Sequence, residues 1–296
     1  MATLLRSSFS PIRYALAEVT DANCPTYFRR SDAPMKQTDR DWERWGESSP
    51  YYGVLSADKF REENLSSKAK EEFFASGEEH IESVFRCIEN IRGEPFRPQS
   101  ALDFGCGVGR LAIPLSGRSR QVFAVDISQS MLAEAQRNCE ARGVENIRLL
   151  KSEDRLSSVP GNLDLVHSYL VLQHISTSRG KEIIQQLADR VGQGGYLAIQ
   201  FYIHSNANKL IRALVKLRYL FPPANWVRNI LKSRPVFEQA MQLHTYDLAG
   251  ILHILRNRGF PEATLHLDTE DGGNFESVFL IAARSDKPPS ISNKHS

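Results

Sequence analysis

A chain of 296 residues, 41% of them hydrophobic, is long enough to bury one large core and a smaller attachment. Its 37 basic and 35 acidic side chains leave a formal charge of +2, which excludes a global bias toward nucleic acid or acidic lipid. Nothing approaches the apolar length of a membrane-crossing helix, and Cys24, Cys87, Cys106 and Cys139 are too scattered for a disulfide framework or a metal site, as expected of a cytoplasmic protein.

In chain order, residues 1–66 read as a loosely attached leader followed by a lid, because Trp42, Trp45, Tyr51, Tyr52 and Phe60 are spread among charges instead of forming a periodic stripe. Ile81, Val84, Phe85, Ile88 and Ile91 then lie at helical spacing, and Gly93 ends the helix. From there strands alternate with helices: Ala101 to Phe104, Gln121 to Asp126, Asn146 to Leu150, Leu163 to Ser168 and Tyr196 to Phe201. Ser128 caps one intervening helix and Gly143 stops it, while Thr245 is the expected cap of a later one. Two strands near Ala263 to Asp268 and Phe275 to Ala283, separated by Asp271-Gly272-Gly273-Asn274, form a terminal hairpin. This order predicts an α/β, Rossmann-like doubly wound sheet, mostly parallel, with helices on both faces. Residues 67–284 make that domain, a cap insertion occupies about 203–244, and 285–296 form a disordered tail.

The most informative stretch is Asp103-Phe104-Gly105-Cys106-Gly107-Val108-Gly109-Arg110, a strand running into a glycine turn that opens a helix. Glycines there let the chain turn sharply and let a ligand approach the backbone. The spacing is not that of a dinucleotide fingerprint, and the Gly-Lys-Ser/Thr ending of a phosphate loop is absent. Asp103 would repel phosphate and attract an ammonium group. About 20 residues on, Asp126 ends a short apolar run, where such folds place an acid on ribose hydroxyls. An ammonium, a ribose and an adenine-sized plane together describe S-adenosyl-L-methionine better than NAD or ATP.

At this point the chain resembles the class I S-adenosylmethionine-dependent methyltransferases, on the Asp-Phe-Gly-Cys-Gly-x-Gly-Arg loop and the Val125-Asp126-Ile127-Ser128 segment. The resemblance covers roughly Glu78 to Arg284 and implies seven strands, the last antiparallel. It implies a cofactor site at Asp103, Gly105, Cys106, Gly107, Gly109, Asp126, Ile127, Met131 and Ser168, with Arg110 buttressing the loop. Near the adenine amino group it implies an acid, either Glu153 or Asp154, though each could equally be a solvated turn residue. The Tyr169-Leu170-Val171-Leu172-Gln173-His174-Ile175 segment follows the fourth strand, at the edge where ligands bind in open α/β sheets. His174 is the candidate general base there, weighed against a structural role, since in-line alignment can supply much of the rate without a base.

Tyr51, Tyr52, Tyr169, Gln173, His204, His244 and Tyr246 are the candidates for touching an acceptor. Between Ile203 and Phe237 there is no acid, yet Lys209, Arg212, Lys216, Arg218, Arg228, Lys232 and Arg234 are present. Leu210, Leu214, Leu217 and Phe221 form a helical stripe that Pro222-Pro223 should stop. A cap over the active site is favoured there over membrane contact through 209–221. The strand-four exit lacks the motifs that serve base amino groups, protein arginine or a catechol metal, and no Pro-Cys nucleophile for cytosine exists. The expected partner is a small-molecule acceptor offering a hydroxyl, amine or activated carbon, with nucleic acid disfavoured and the oligomeric state open. The alternatives are a non-catalytic partner or regulatory protein on the same fold, and another chemistry of the same cofactor such as aminopropyl transfer.

Overall fold

The computed structural model describes residues 12–15, 37–152, 156–207, 215, 218, 221–232 and 234–285. The predicted leader apart from Ile12–Ala15, the tail apart from Ser285, Glu153, Asp154 and the stripe leucines Leu210, Leu214 and Leu217 lie outside these residues.

Five parallel strands form the centre. They are β2 (Ser100–Phe104), β3 (Gln121–Asp126), β4 (Ile147–Lys151), β5 (Leu163–Ser168) and β6 (Val191–Ser205). Two antiparallel strands, β7 (Glu262–Glu270) and β8 (Phe275–Ala283), complete the seven-stranded sheet that the resemblance implies. An eighth, β1 (Ile12–Ala15), pairs antiparallel with β7 from within the expected leader, giving the order β1-β7-β8-β6-β5-β2-β3-β4. Of the apolar runs that read as strands, β2 and β5 are almost wholly inside, whereas the edge strand β4 is only partly buried.

One face of the sheet is covered by α3 (Ser67–Arg92), α4 (Ala112–Arg118) and α5 (Gln129–Ala141). On the other lie α6 (Thr177–Arg190) and α8 (Leu248–Arg256), whose Ile183, Ile184, Leu187, Ile251 and Leu255 pack on Val166, Leu197 and Phe201. Ser128 caps α5 as expected, its hydroxyl accepting from the Met131 amide at 3.1 Å. The cap of α8 is Asp247 and not Thr245; its carboxylate accepts from Ala249 and Gly250 at 3.2 and 3.1 Å, because it stands two residues nearer the first free amides.

Pro222-Pro223 begin a helix, whereas most of the segment they were expected to stop lies outside the described residues. They open α7 (Pro222–Leu231), where the missing amides would have had no partner in any case. The aromatic segment ahead of α3 is also helical, as α1 (Gln37–Ser48) and the short α2 (Pro50–Val54). Trp45, Tyr51, Tyr52, Phe60, Phe73, Phe74 and Met131 make a third apolar cluster, which fastens this segment to α3 and α5.

Candidate active site

The glycine turn sits where β2 meets α4, at the carboxyl edge of the sheet beside the tip of β3. Gly105 and Gly107 take φ of +77° and +52°, a region that side chains other than glycine seldom enter. Space enforces the choice as well. A Cβ on Gly105 would drive into the Val171 side chain, and one on Gly107 would come within 2.6 Å of Val54 Cγ2.

The turn spends its own amides. Gly105 and Cys106 N–H both donate to Val125 O at 2.7 and 3.0 Å, and Gly109 N–H donates to Cys106 O at 2.9 Å. Gly107 N–H donates to Asp126 Oδ2 at 2.8 Å. A phosphate cradle needs free amides, and these four are already spent, so the glycines serve a ligand by shape.

Asp126 ties the loop to the neighbouring strand. Its other oxygen accepts from Ser128 N–H at 2.9 Å, and both keep a lone pair. Burial, with Asp103 adding to it, raises its pKa to about 6 against the amide hydrogen bonds of Ser128, Gly107 and Ile127 that lower it. Asp103 lies just behind the loop, 2% exposed. Its Oδ1 accepts from His167 Nδ1 at 3.0 Å, and its Oδ2 is buried with no partner among the described residues. An unpaired buried carboxylate oxygen is costly alone and suits a cation.

Asp126 borders a cleft at this edge of the sheet, while Asp103 stands behind the loop without lining it. Gly105, Gly107, Asp126, Ile127 and Met131 line it from the loop side, and Tyr169 and His174 from the exit of β5. The remaining wall comes from α1 and α2, through Thr38, Asp39, Trp42, Gly53 and Val54. That wall is fixed by polar contacts that sequence reasoning missed. Arg179 on α6 donates to both oxygens of Asp39 at 2.6 and 3.2 Å. Glu43 accepts from the Gln129 and Ser130 amides at 2.7 and 3.1 Å, covering the positive end of α5. Opposed charges in distant segments carry no local periodicity by which to pair them.

His174 has one nitrogen engaged. A carbonyl only accepts, so the 3.0 Å contact from Nδ1 to Gln242 O means that Nδ1 carries the proton and Nε2 does not. Burial lowers its pKa to about 4, outweighing that hydrogen bond, which keeps the ring neutral. Trp42 meets the ring edge to face at 5.0 Å. Leu170, also on the wall, is held at φ +61° with its amide donating to Gln200 Oε1 at 3.1 Å.

Several predicted residues stand elsewhere. Cys106 faces the core, where burial, then Asp126 and Asp103, push its thiol pKa well up. Gly109 shapes the loop without lining the cleft, and Ser168 donates to Phe104 O at 2.9 Å. Tyr51 is 1% exposed, its hydroxyl 2.6 Å from Glu134 Oε1 and 2.9 Å from Asn138 Oδ1, while Tyr52 lies under the Arg61 guanidinium at 3.8 Å. The Tyr246 hydroxyl sits 2.8 Å from the carbonyls of both Leu172 and Ile175, and so braces the loop instead of facing a ligand. Gln173 is buried, His244 is held by Gln242 Oε1 at 3.0 Å, and His204 is exposed on β6, so none of the three lines the cleft. Arg110 does lie buried behind the loop, where desolvation lowers its pKa.

A parallel sheet with an antiparallel final hairpin, a glycine turn after its first central strand and an acid at the tip of the next define the class I S-adenosylmethionine-dependent methyltransferase fold, in line with the resemblance. Residues 101–195 match the family model described as a methyltransferase domain. The chain is similar to a tRNA/tmRNA (uracil-C(5))-methyltransferase of Campylobacter curvus, 40% identical over 65 residues, which are 21% of this chain and 18% of the relative. It is 26% identical over 160 residues to a ubiquinone biosynthesis O-methyltransferase of Burkholderia vietnamiensis, covering 52% of this chain and 68% of the relative. The two first-ranked curated relatives are thus spanned over less than a fifth of their length. A crystal structure of magnesium protoporphyrin IX methyltransferase from Synechocystis PCC 6803 with bound SAM shares the fold, with a TM-score of 0.51 and 20% identity over 86% of this chain and all of that one.

Proposed function

We propose that this protein is an S-adenosylmethionine-dependent methyltransferase acting on a small-molecule acceptor. The observation that carries the reading is Asp126, locked to the Gly107 amide at the mouth of a cleft whose loop turns the amides of Gly105, Cys106, Gly107 and Gly109 inward. The residues fit the cofactor: Asp126 keeps a lone pair on each oxygen for ribose hydroxyls, Asp103 Oδ2 is a buried, unpaired acceptor for an ammonium group reaching past the loop, and Gly105 and Gly107 leave room for close approach. When bound, the cofactor supplies a methyl group on a positively charged sulfur, a good electrophile.

The chain's own part is alignment and exclusion of water. Tyr169 and Trp42 supply flat apolar walls, and Leu170 and Val171 are held against the glycine loop. His174, neutral with Nε2 unprotonated, accepts a hydrogen bond from an acceptor hydroxyl and takes its proton as the new bond forms. Its lowered basicity makes it an orienting group first and a base late in the step. Enclosure of the cleft by α1 and α2 favours a small acceptor over a base within a nucleic acid. The likeness to tRNA-modifying relatives covers 65 residues in one and 113 in another, in each case less than half of either chain, and adds no acceptor.

Titration calorimetry with S-adenosylmethionine and S-adenosylhomocysteine, on wild type and Asp126→Ala, tests the cofactor. Binding lost in the variant supports the reading, and no binding to wild type overturns it. Methyl transfer from labelled donor to a panel of hydroxyl, amine and carbon acceptors then tests catalysis. Tight cofactor binding with no transfer to any class would favour the non-catalytic alternative, and a propylamine-bearing product the aminopropyl one.

A further inference from the structure

Helix α7 is inside out. Its polar side chains Asn225 and Asn229, 6% and 1% exposed, face the protein. Asn225 donates to Glu238 O at 2.7 Å, and Asn229 donates to Val236 O and Glu238 O at 3.0 and 2.9 Å. Its apolar side chains face out: Val227, Ile230 and Leu231 are 58%, 60% and 81% exposed, with Trp226 beside them. Trp226 and Phe237 meet edge to face at 5.5 Å, so the patch continues into the segment after the helix. Eight of the nine exposed large hydrophobic side chains among the described residues fall between Val215 and Phe237. Scattered exposed apolar residues are ordinary, but a contiguous group marks a contact surface.

The charge around the patch has one sign. Between Ile203 and Phe237 the sequence holds seven Lys and Arg and no acid. Glu238, the first acid after it, is 7% exposed and consumed by ion pairs with Arg61 and Arg234 at 2.7 and 3.4 Å, so it offers no negative charge to the surface. Arg228 and Lys232 flank the exposed leucine and isoleucine.

We propose that the α7 face docks on an anionic lipid surface. An apolar patch with a tryptophan and a cationic rim needs a partner with an apolar interior under negative charge, which a bilayer containing acidic phospholipid provides. A second copy of the chain would set the same cationic rim against itself. Ile230 and Leu231 enter the acyl boundary, Trp226 sits among the headgroups, and Lys232 and Arg228 meet lipid phosphates. This docking does not depend on methyl transfer, and no helix among the described residues is long and apolar enough to cross a membrane.

The test is flotation of the full chain with vesicles of phosphatidylcholine alone and of phosphatidylcholine mixed equally with phosphatidylglycerol. Wild type should bind the mixed vesicles and leave the neutral ones largely free. Ile230→Gln with Leu231→Gln should weaken binding about tenfold or more, the expected loss for two partly inserted side chains. Lys232→Glu should weaken it about fivefold or more, with high salt acting the same way. These side chains are exposed, so unchanged circular dichroism and cofactor binding would show that the variants remain folded. The proposal is overturned if wild type binds neither vesicle, if the variants bind as wild type does, or if they instead dissociate a dimer seen by ultracentrifugation.

Discussion

Asp103 and His167 stand opposite each other on the adjacent parallel strands β2 and β5, and the Nδ1 of the histidine donates to Oδ1 of the carboxylate at 3.0 Å with both side chains buried. His80 from α3 continues the line, its Nε2 3.0 Å from Nε2 of His167. Burial, then His167 and Arg110, hold the His80 pKa well below the ordinary value, so that ring stays neutral. One carboxylate oxygen is thereby pinned from behind while the other remains unpaired.

Removing the pin should cost stability. His167→Phe leaves a buried carboxylate uncompensated, and chemical denaturation should show a loss of about 3 to 5 kcal/mol. Asp103→Asn keeps an acceptor for His167 and should stay folded. If Oδ2 meets an ammonium group, calorimetry will show S-adenosylhomocysteine binding at least about tenfold more weakly to that variant. Methylthioadenosine, which lacks the ammonium, should bind nearly as before. Equal losses for both ligands would assign Asp103 to structure alone.

Cofactor affinity should carry the titration of Asp126. With a pKa raised to about 6, the free protein is largely protonated there at about pH 5 and ionised at about pH 7, and only the carboxylate accepts from two ribose hydroxyls. Affinity for S-adenosylhomocysteine should therefore rise up to about tenfold per pH unit below 6 and level off above it. Asp126→Asn should bind weakly and with a flat profile.

Acid should destabilise the fold through His174. Its pKa of about 4 lies below the ordinary 6.5, so the unfolded chain takes a proton that the folded chain refuses. Stability is lost as pH falls from about 6.5 toward 4, by up to about 3 kcal/mol from this residue. His80 acts with the same sign. His174→Gln should thus lessen the acid slope in denaturation measured across that range without abolishing it.

Gly105→Ala should fail twice, through φ of +77° and through collision with Val171. A loss of about 1 to 3 kcal/mol and weakened cofactor binding are expected. Adding Val171→Ala should restore part of the binding by removing the collision, while the cost of the positive φ persists. A double variant no better than the single one would mean that backbone strain alone decides.

The Asp39–Arg179 pair should govern opening of the wall. Asp39→Ala leaves Arg179 without that carboxylate, and amide exchange across 37–54 should quicken. Cofactor affinity should fall severalfold, while exchange in β2 and β5 stays as in wild type.

The strands, the glycine turn and Asp126 were legible in the sequence because each rests on a local rule: an apolar run buried on both faces, a backbone that only glycine adopts, an acid at a strand tip. The caps at Ser128 and Gly93 were legible for the same reason. Which tyrosine or histidine faces the cleft was not, since Tyr169 and Tyr246 are alike until packing points one at the cleft and gives the other two carbonyls to hold. That Pro222-Pro223 also open a helix was not legible either, since the chain after them decides it. Pairings between remote segments, Asp39 with Arg179 and Asp103 with His167, are products of tertiary structure. No spacing encodes them, because a buried charge takes whichever partner the fold brings within reach.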